Sequence, residues 1–351
     1  MPTLEINLAK IRQNTANLVK ALGAIELAGV IKACQGNIRI AQAFVEGGVQ
    51  ILADVHLQNF VALKKLPVKK MLLRAPLPEE PAGLLSLIDF ISVSSLSDIN
   101  RLRNIAADSE EKGLIVNIET GFGREGFEPD EIEHAAELIA RTKGVYLAGF
   151  ATNTACANGQ NPLNQLNYFT AFVNSTKPRG PVACEFPDRI RRNGSLRAAR
   201  EPSLRRHPSA PLIISGGNSS ILPWALRQEI PKEINQLRIG EAILLGHDTA
   251  SYKAIANNSL DAFRLKVEVV GRRQTNGSKQ AVLATGLQDI GAGKLTAIGD
   301  GKVNIEKIFS DNLTISFETN VTLGKAVWFR PDYYALLALM TSPYIKKRFI
   351  S

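Results

Sequence analysis

Long apolar runs are missing from this chain. None reaches the roughly 18 uninterrupted apolar residues of a membrane-crossing helix, so no span is expected. Cysteine is scarce. Cys34, Cys156 and Cys184 are odd in number and far apart, which excludes a disulfide framework and a Cys-x-x-Cys metal pair. Four scattered histidines have no zinc spacing, so no metal site is expected. The start, Met1-Pro2-Thr3-Leu4-Glu5, lacks a basic segment followed by an apolar one. A secretory leader is therefore not expected, and the cytoplasm is.

What is present is a balanced composition with a basic surplus. The 351 residues are 45% hydrophobic and 21% charged, as in soluble globular proteins. That length suits one large domain or two ordinary ones. The net charge of +9 would admit nucleic acid or an anionic ligand. Its distribution weakens the first. Between Arg179 and Arg206 eight arginines face Glu185, Asp188 and Glu201, a surplus of +5 in one stretch. Apart from Phe186 that stretch has no interleaved aromatics on which bases could stack, so nucleic acid is not the expected partner. Residues 176–210 have no periodicity and read as a basic surface insertion.

Apolar strand-like runs recur near 28–32, 50–53, 71–74, 88–93, 114–119, 146–151, 211–215 and 236–245. Helical periodicity lies between most of them, as in residues 8–22 and 131–140. Eight such units over about 250 residues predict a (β/α)8 TIM barrel, with its chemistry at the C-terminal ends of the strands. After residue 248 the pattern changes. Residues 263–270, 312–318 and 325–329 alternate or run apolar as half-buried strands do. The expected division is a barrel over 1–248 and a smaller, mostly β domain over 249–351.

Four features carry candidate chemistry. Lys32 closes the run Ala28-Gly29-Val30-Ile31. Burial there would disfavour the ammonium and leave a nucleophilic amine able to hold a carbonyl cofactor. In isolation such a lysine would pack its stem on the core and reach water. Ser215-Gly216-Gly217-Asn218-Ser219-Ser220 follows the seventh run, where a barrel commonly binds phosphate. Its glycines allow close approach of backbone amides, although alone it would pass for an ordinary turn. Gly121-Phe122-Gly123-Arg124-Glu125-Gly126 is a literal GxGxxG after a strand. It raises the alternative of a nicotinamide-dependent oxidoreductase. Against that, no acidic residue ends the next strand, which leads into Ala151-Thr152-Asn153. Arg238, in the eighth run, could face the barrel mouth.

In order and spacing, Lys32, Thr120–Phe127, Ser215–Ser220 and Arg238–Gly246 resemble the fold-type III pyridoxal-phosphate enzymes. The chain is similar to the alanine racemase group, and most closely to its ornithine racemase-like branch. Ile51-Leu52-Ala53-Asp54, Leu72-Leu73-Arg74-Ala75-Pro76, Thr152-Asn153-Thr154-Ala155-Cys156, Gly286-Leu287-Gln288-Asp289 and Tyr333–Tyr344 carry the likeness further. The resemblance implies an amino-acid racemase, acting on ornithine, lysine or alanine, with pyridoxal 5'-phosphate as cofactor. It implies that Lys32 carries the cofactor as a Schiff base and serves as one base. Arg124 would approach the cofactor's phenolic oxygen, with Asn153 nearby. Ser215, Gly217, Asn218, Ser219 and Ser220 would hold the phosphate, and Arg238 would face the pyridine nitrogen. A homodimer is implied too. The alternative on the same barrel is a non-catalytic protein that binds or buffers the cofactor.

Racemisation needs a second acid–base group opposite the lysine. The group's usual tyrosine position matches Leu287, so another residue is required. Cys156, Asp289 and Tyr333 are the candidates. Cys156 ranks first, because it follows the sixth strand, although a buried cysteine can also be a small apolar residue. Gln35 stands where the branch has cysteine, Val55-His56 replaces a Ser-Arg pair, and Leu96 replaces an acid. These departures leave the substrate open.

Overall fold

The computed structural model describes residues 1–105, 110–154, 161–176, 211–275, 278–299, 303–317 and 322–351. Eight parallel strands close into a barrel: β2 (Glu26–Val30), β3 (Ile51–Asp54), β4 (Lys69–Leu72), β5 (Phe90–Val93), β6 (Lys112–Asn117), β7 (Val145–Thr152), β8 (Ile213–Gly216) and β9 (Gln236–Ile239). β9 pairs back onto β2 through Glu26↔Gln236 and Gly29↔Ile239. Small and branched side chains fill the interior, among them Ala28, Ile51, Ala53, Met71 and Ala148. The Gly29 Cα approaches the next layer so closely that an added Cβ would sit 2.6 Å from Phe44 Cδ1.

Around the barrel run α1 (Leu8–Leu22), α2 (Ile38–Glu46), α3 (Leu96–Ile105), α4 (Ile132–Arg141), α5 (Pro162–Thr176), α6 (Leu222–Ala225) and α7 (Glu241–Leu245). α1 forms where Asn7 caps it, accepting from the Lys10 N–H at 2.9 Å. It buries Ile11, Asn14, Thr15 and Leu18, the i, i+3, i+4, i+7 face of a helix packed on a sheet. Asn14 is fully buried and donates to the carbonyls of Ile243 and Ser259, both at 2.9 Å, so it ties α1 to α7. Between β3 and β4, and between β4 and β5, the connections are 3-10 turns, Leu57–Phe60 and Ala82–Leu87.

Two details differ from the sequence expectation. The run 236–245 is a strand only to Ile239. Gly240 follows it, where a Cβ would stand 2.6 Å from the Val30 carbonyl oxygen and only glycine fits, and α7 begins at Glu241. The first strand ends at Val30, and Lys32 opens a 3-10 turn, Lys32–Cys34.

The second sheet contains β10 (Phe263–Thr275), β11 (Ser278–Leu283), β12 (Leu295–Ile298), β13 (Val303–Ile308), β14 (Leu313–Phe317) and β15 (Ala326–Pro331). Its order is β12-β15-β10-β11-β14-β13. Two helices belong to this part, α8 (Leu287–Ile290) and α9 (Tyr333–Thr341). Two pairings cross the division expected at residue 248. β1 (Thr3–Asn7) runs antiparallel to β10 and parallel to β16 (Lys346–Ile350). Among the described residues no helix is long and apolar enough to cross a membrane.

Candidate active site

At the C-terminal end of β2 the chain turns tightly. The Ile31 N–H donates to the Ala53 carbonyl at 2.9 Å, and Gln35 adopts a left-handed conformation at φ 52. α9 packs on this turn. Lys32 is half-buried there. Burial holds its amine below the ordinary lysine range, and the Arg124 guanidinium adds to the effect. The carboxylates of Asp54, Glu125 and Glu241 pull the other way. Asp54 is buried at the end of β3, where burial raises its carboxyl. It accepts from the His56 N–H at 2.9 Å and from Asn59 Nδ2 at 3.0 Å.

Two strands round the barrel from β2, through β9, β8 delivers the glycine-rich loop. Gly217 sits at φ +104, and a Cβ on it would fall 2.5 Å from Thr154 Oγ1. Asn218 caps the turn Ser219–Ile221. Its Oδ1 accepts from the Ser220 N–H at 2.9 Å, and its Nδ2 donates to the Thr154 carbonyl at 3.0 Å. Ser220 Oγ donates to the same carbonyl at 2.9 Å. The side chains of Asn218 and Ser220 thus build the loop, and an anion is left mainly the backbone amides at 217–219. Ser215 is fully buried on β8, and its Oγ has no partner.

Arg238 ends β9 almost completely buried. Its Nη2 donates to the Thr152 carbonyl at 2.6 Å and to Asn153 Oδ1 at 3.2 Å. Burial lowers it to about 10, with Glu125 opposing and Arg124 assisting, so it stays cationic near neutrality. Its Nε is buried without a partner. A buried orphan N–H costs about 1–3 kcal/mol, which an acceptor on a bound group would recover. The orphaned Arg238 Nε, the orphaned Ser215 Oγ and the cradle at Gly217 together fit a small cofactor that has a ring acceptor and an anionic tail.

The GxGxxG segment does not form a dinucleotide loop. The N–H groups of Gly121 and Gly123 donate to the Glu119 carboxylate, so its own chain occupies the amides a pyrophosphate would need. The sheet is also a closed barrel rather than an open doubly wound one. This removes the nicotinamide alternative. Arg124 is exposed at the rim, paired with Glu125 and stacked 4.7 Å from the Phe122 ring centroid.

The candidates for the second acid–base group separate. Cys156 and the 177–210 part of the basic insertion lie outside the described residues. Asp289 is buried and committed, accepting from Thr285 Oγ1 at 3.1 Å and Ser342 Oγ at 3.0 Å. Tyr333 is half-buried at the start of α9. Burial raises its phenol, and so do the nearby Glu241, Cys34, Asp54 and Tyr334. Leu287, at the position of the usual tyrosine, is 50% exposed. Of the departures, Gln35 and His56 line a cleft of about 730 Å³ beside Lys32, together with Gln58, Asn59 and Tyr334. Leu96 packs against the core. Val55 is half-buried between Asp54 and His56. A second cleft, lined by Glu26, Gln50, Lys70 and Asp89, lies at the N-terminal ends of the strands, away from the chemistry. Sequence reasoning missed Glu125 and Glu241. Their positions in the motifs were visible, but nothing in the order of residues said that their charges reach Lys32.

Comparison with known proteins agrees with this fold. The model of the alanine racemase N-terminal domain matches residues 6–186. A lysine racemase of Thermotoga maritima is 28% identical, covering 99% of this chain and 98% of its own. An ornithine racemase of Acetoanaerobium sticklandii is 29% identical, covering 99% of each. Among solved structures, the Corynebacterium glutamicum alanine racemase superposes with a TM-score of 0.70 at 17% identity, covering 100% of this chain and 99% of that one. The biosynthetic alanine racemase of Pseudomonas aeruginosa gives 0.72 at 14%, with the same coverage. These structures share the fold, barrel and β domain together. The chain belongs to the alanine racemase N-terminal domain family.

Proposed function

We propose that this chain is a pyridoxal-phosphate-dependent amino-acid racemase, an isomerase that inverts Cα. One observation carries the reading. A lysine amine of lowered basicity stands at the barrel mouth, and on the same side, after β8 and on β9, lie a glycine cradle and a buried arginine with an unpartnered Nε. Lys32 would carry the cofactor aldehyde and move one proton at Cα. The loop amides at 217–219 would hold the phosphate, with Ser215 and Ser219 nearby. Arg238 would meet the ring nitrogen, fixed in place by Thr152 and Asn153. When bound, pyridoxal phosphate draws electrons from Cα and acidifies its proton. A cationic Arg238 would keep the ring nitrogen unprotonated and weaken that pull, which suits proton exchange over transamination.

Ornithine and lysine are the preferred substrates, with alanine next. The two relatives matched along their whole length are a lysine and an ornithine racemase. The cleft beside Lys32, about 730 Å³ with mixed walls that include Gln35 and Asn59 as well as Ala292, Leu337 and Ala338, also has more room than a methyl group needs. A homodimer in the cytoplasm is part of the proposal. The division into a barrel to residue 248 and a β domain beyond it is too, with β1 joined to the latter.

Purified protein supplied with cofactor should show visible absorbance, and borohydride should fix the cofactor on Lys32. Lys32→Ala should lose both, together with racemisation of ornithine and lysine followed by chiral chromatography. Colour on Lys32 without inversion of any amino acid in a broad panel would leave only a cofactor carrier and overturn the reading.

A further inference from the structure

Inverting Cα requires a proton to leave one face and another to arrive on the opposite face. Lys32 stands after β2. In the closed order β2-β3-β4-β5-β6-β7-β8-β9, the strand diametrically opposite is β6, four places away in either direction. The segment after β6 carries Glu125.

Three observations fix this carboxylate at the mouth. It accepts from Arg124 Nη2 and, at 3.3 Å, from Asn153 Nδ2. Asn153 in turn accepts from Arg238 at 3.2 Å, so Glu125 joins a chain of bonds that ends on the buried arginine. Its charge reaches both Lys32 and Arg238 across the opening. Both bonds to Glu125 land on Oε1, which anchors one oxygen and leaves Oε2 for a proton. The other described candidates are placed differently. Asp289 is bonded away in the second part of the chain. Tyr333 is felt through Cys34, Asp54 and Glu241, which follow β2, β3 and β9 and so belong to the side of Lys32.

We propose that Glu125 is the second proton-transfer group, working across the barrel mouth from Lys32; this rests on the racemase reading. One of the two groups takes the Cα proton while the other, protonated, gives one to the far face. Each ends in the other's protonation state, and exchange with water resets them.

The test uses the full chain with bound cofactor, in deuterium oxide, on L- and D-ornithine and L- and D-lysine. Glu125→Gln should lower racemisation about 10²–10⁴-fold. One enantiomer should still exchange its Cα hydrogen for deuterium with retention, through Lys32, while exchange of the other falls with racemisation. Glu125→Asp, which keeps the acid, should recover part of the loss. Glu125→Gln should still bind pyridoxal phosphate and still be trapped by borohydride on Lys32, which separates a missing proton-transfer group from a missing cofactor. Three results would overturn the assignment: racemisation by Glu125→Gln within tenfold of wild type, equal loss of exchange for both enantiomers, or loss of cofactor binding. A wild-type protein that neither racemises nor exchanges any of the four would overturn the racemase reading and this assignment with it.

Discussion

Holding an amine half-buried beside a guanidinium costs stability, and Lys32 does so. Its folded-state basicity is lowered, so the unfolded chain binds more protons than the folded one. The penalty is therefore complete below the folded value and fades as pH climbs through the unfolded value near 10.5. Lys32→Met should be more stable than wild type at neutral pH, with the advantage shrinking as pH approaches that value. Urea unfolding of cofactor-free protein across pH checks this; a constant difference would refute it. At Gly217 the strain is of the backbone. Alanine there would need φ +104 and would drive its Cβ against Thr154. Gly217→Ala should cost about 1–3 kcal/mol and weaken binding of pyridoxal phosphate, measured by denaturation and by fluorescence titration. Such positions were partly legible. Lys32, the glycine cradle and Arg238 stand out because each breaks the local apolar pattern at a strand end. The roles of Asn218 and Ser220 were not. Their side chains turn inward to the Thr154 carbonyl, a contact across sixty-odd residues of sequence that no local pattern records.

Elements were legible in proportion to their periodicity. α1 was readable because its buried positions recur at helical spacing, and the barrel strands because each centres on a short apolar run, as parallel strands covered on both faces do. β13 was passed over although Val303-Asn304-Ile305-Glu306 alternates apolar and polar, because the run is short and a bulge between Ile305 and Lys307 breaks the alternation. β1 and β16 were missed because each is short and draws its partner from the far end of the chain. Contacts between elements repay direct measurement. Asn14 is buried in a helix and would be expensive there without its bonds to Ile243 and Ser259 and the one it accepts from the Ser259 N–H at 2.7 Å. Asn14→Ala should destabilise by about 1–3 kcal/mol, since one buried and two half-buried backbone groups lose a partner together. A midpoint in urea within error of wild type would show that α7 does not depend on this link.

At the scale of the whole molecule, the open question is what covers the mouth. Leu287 is half exposed on the second part of the chain, and Tyr334 and Tyr344 are exposed as well. Sedimentation should give twice the 38.2 kDa of one chain, and Leu287→Glu should shift the population toward monomer. A wild-type species that sediments as one chain at micromolar concentration would set the dimer aside.

β1 lends its edges to β10 on one side and to β16 on the other. During synthesis, then, β1 is made long before either neighbour, β10 first and β16 later still. The barrel can assemble progressively, but this seam has to wait. Clipping Lys346–Ile350 would take little from the core, yet it would bare one whole flank of β1 to any other strand that can pair with it.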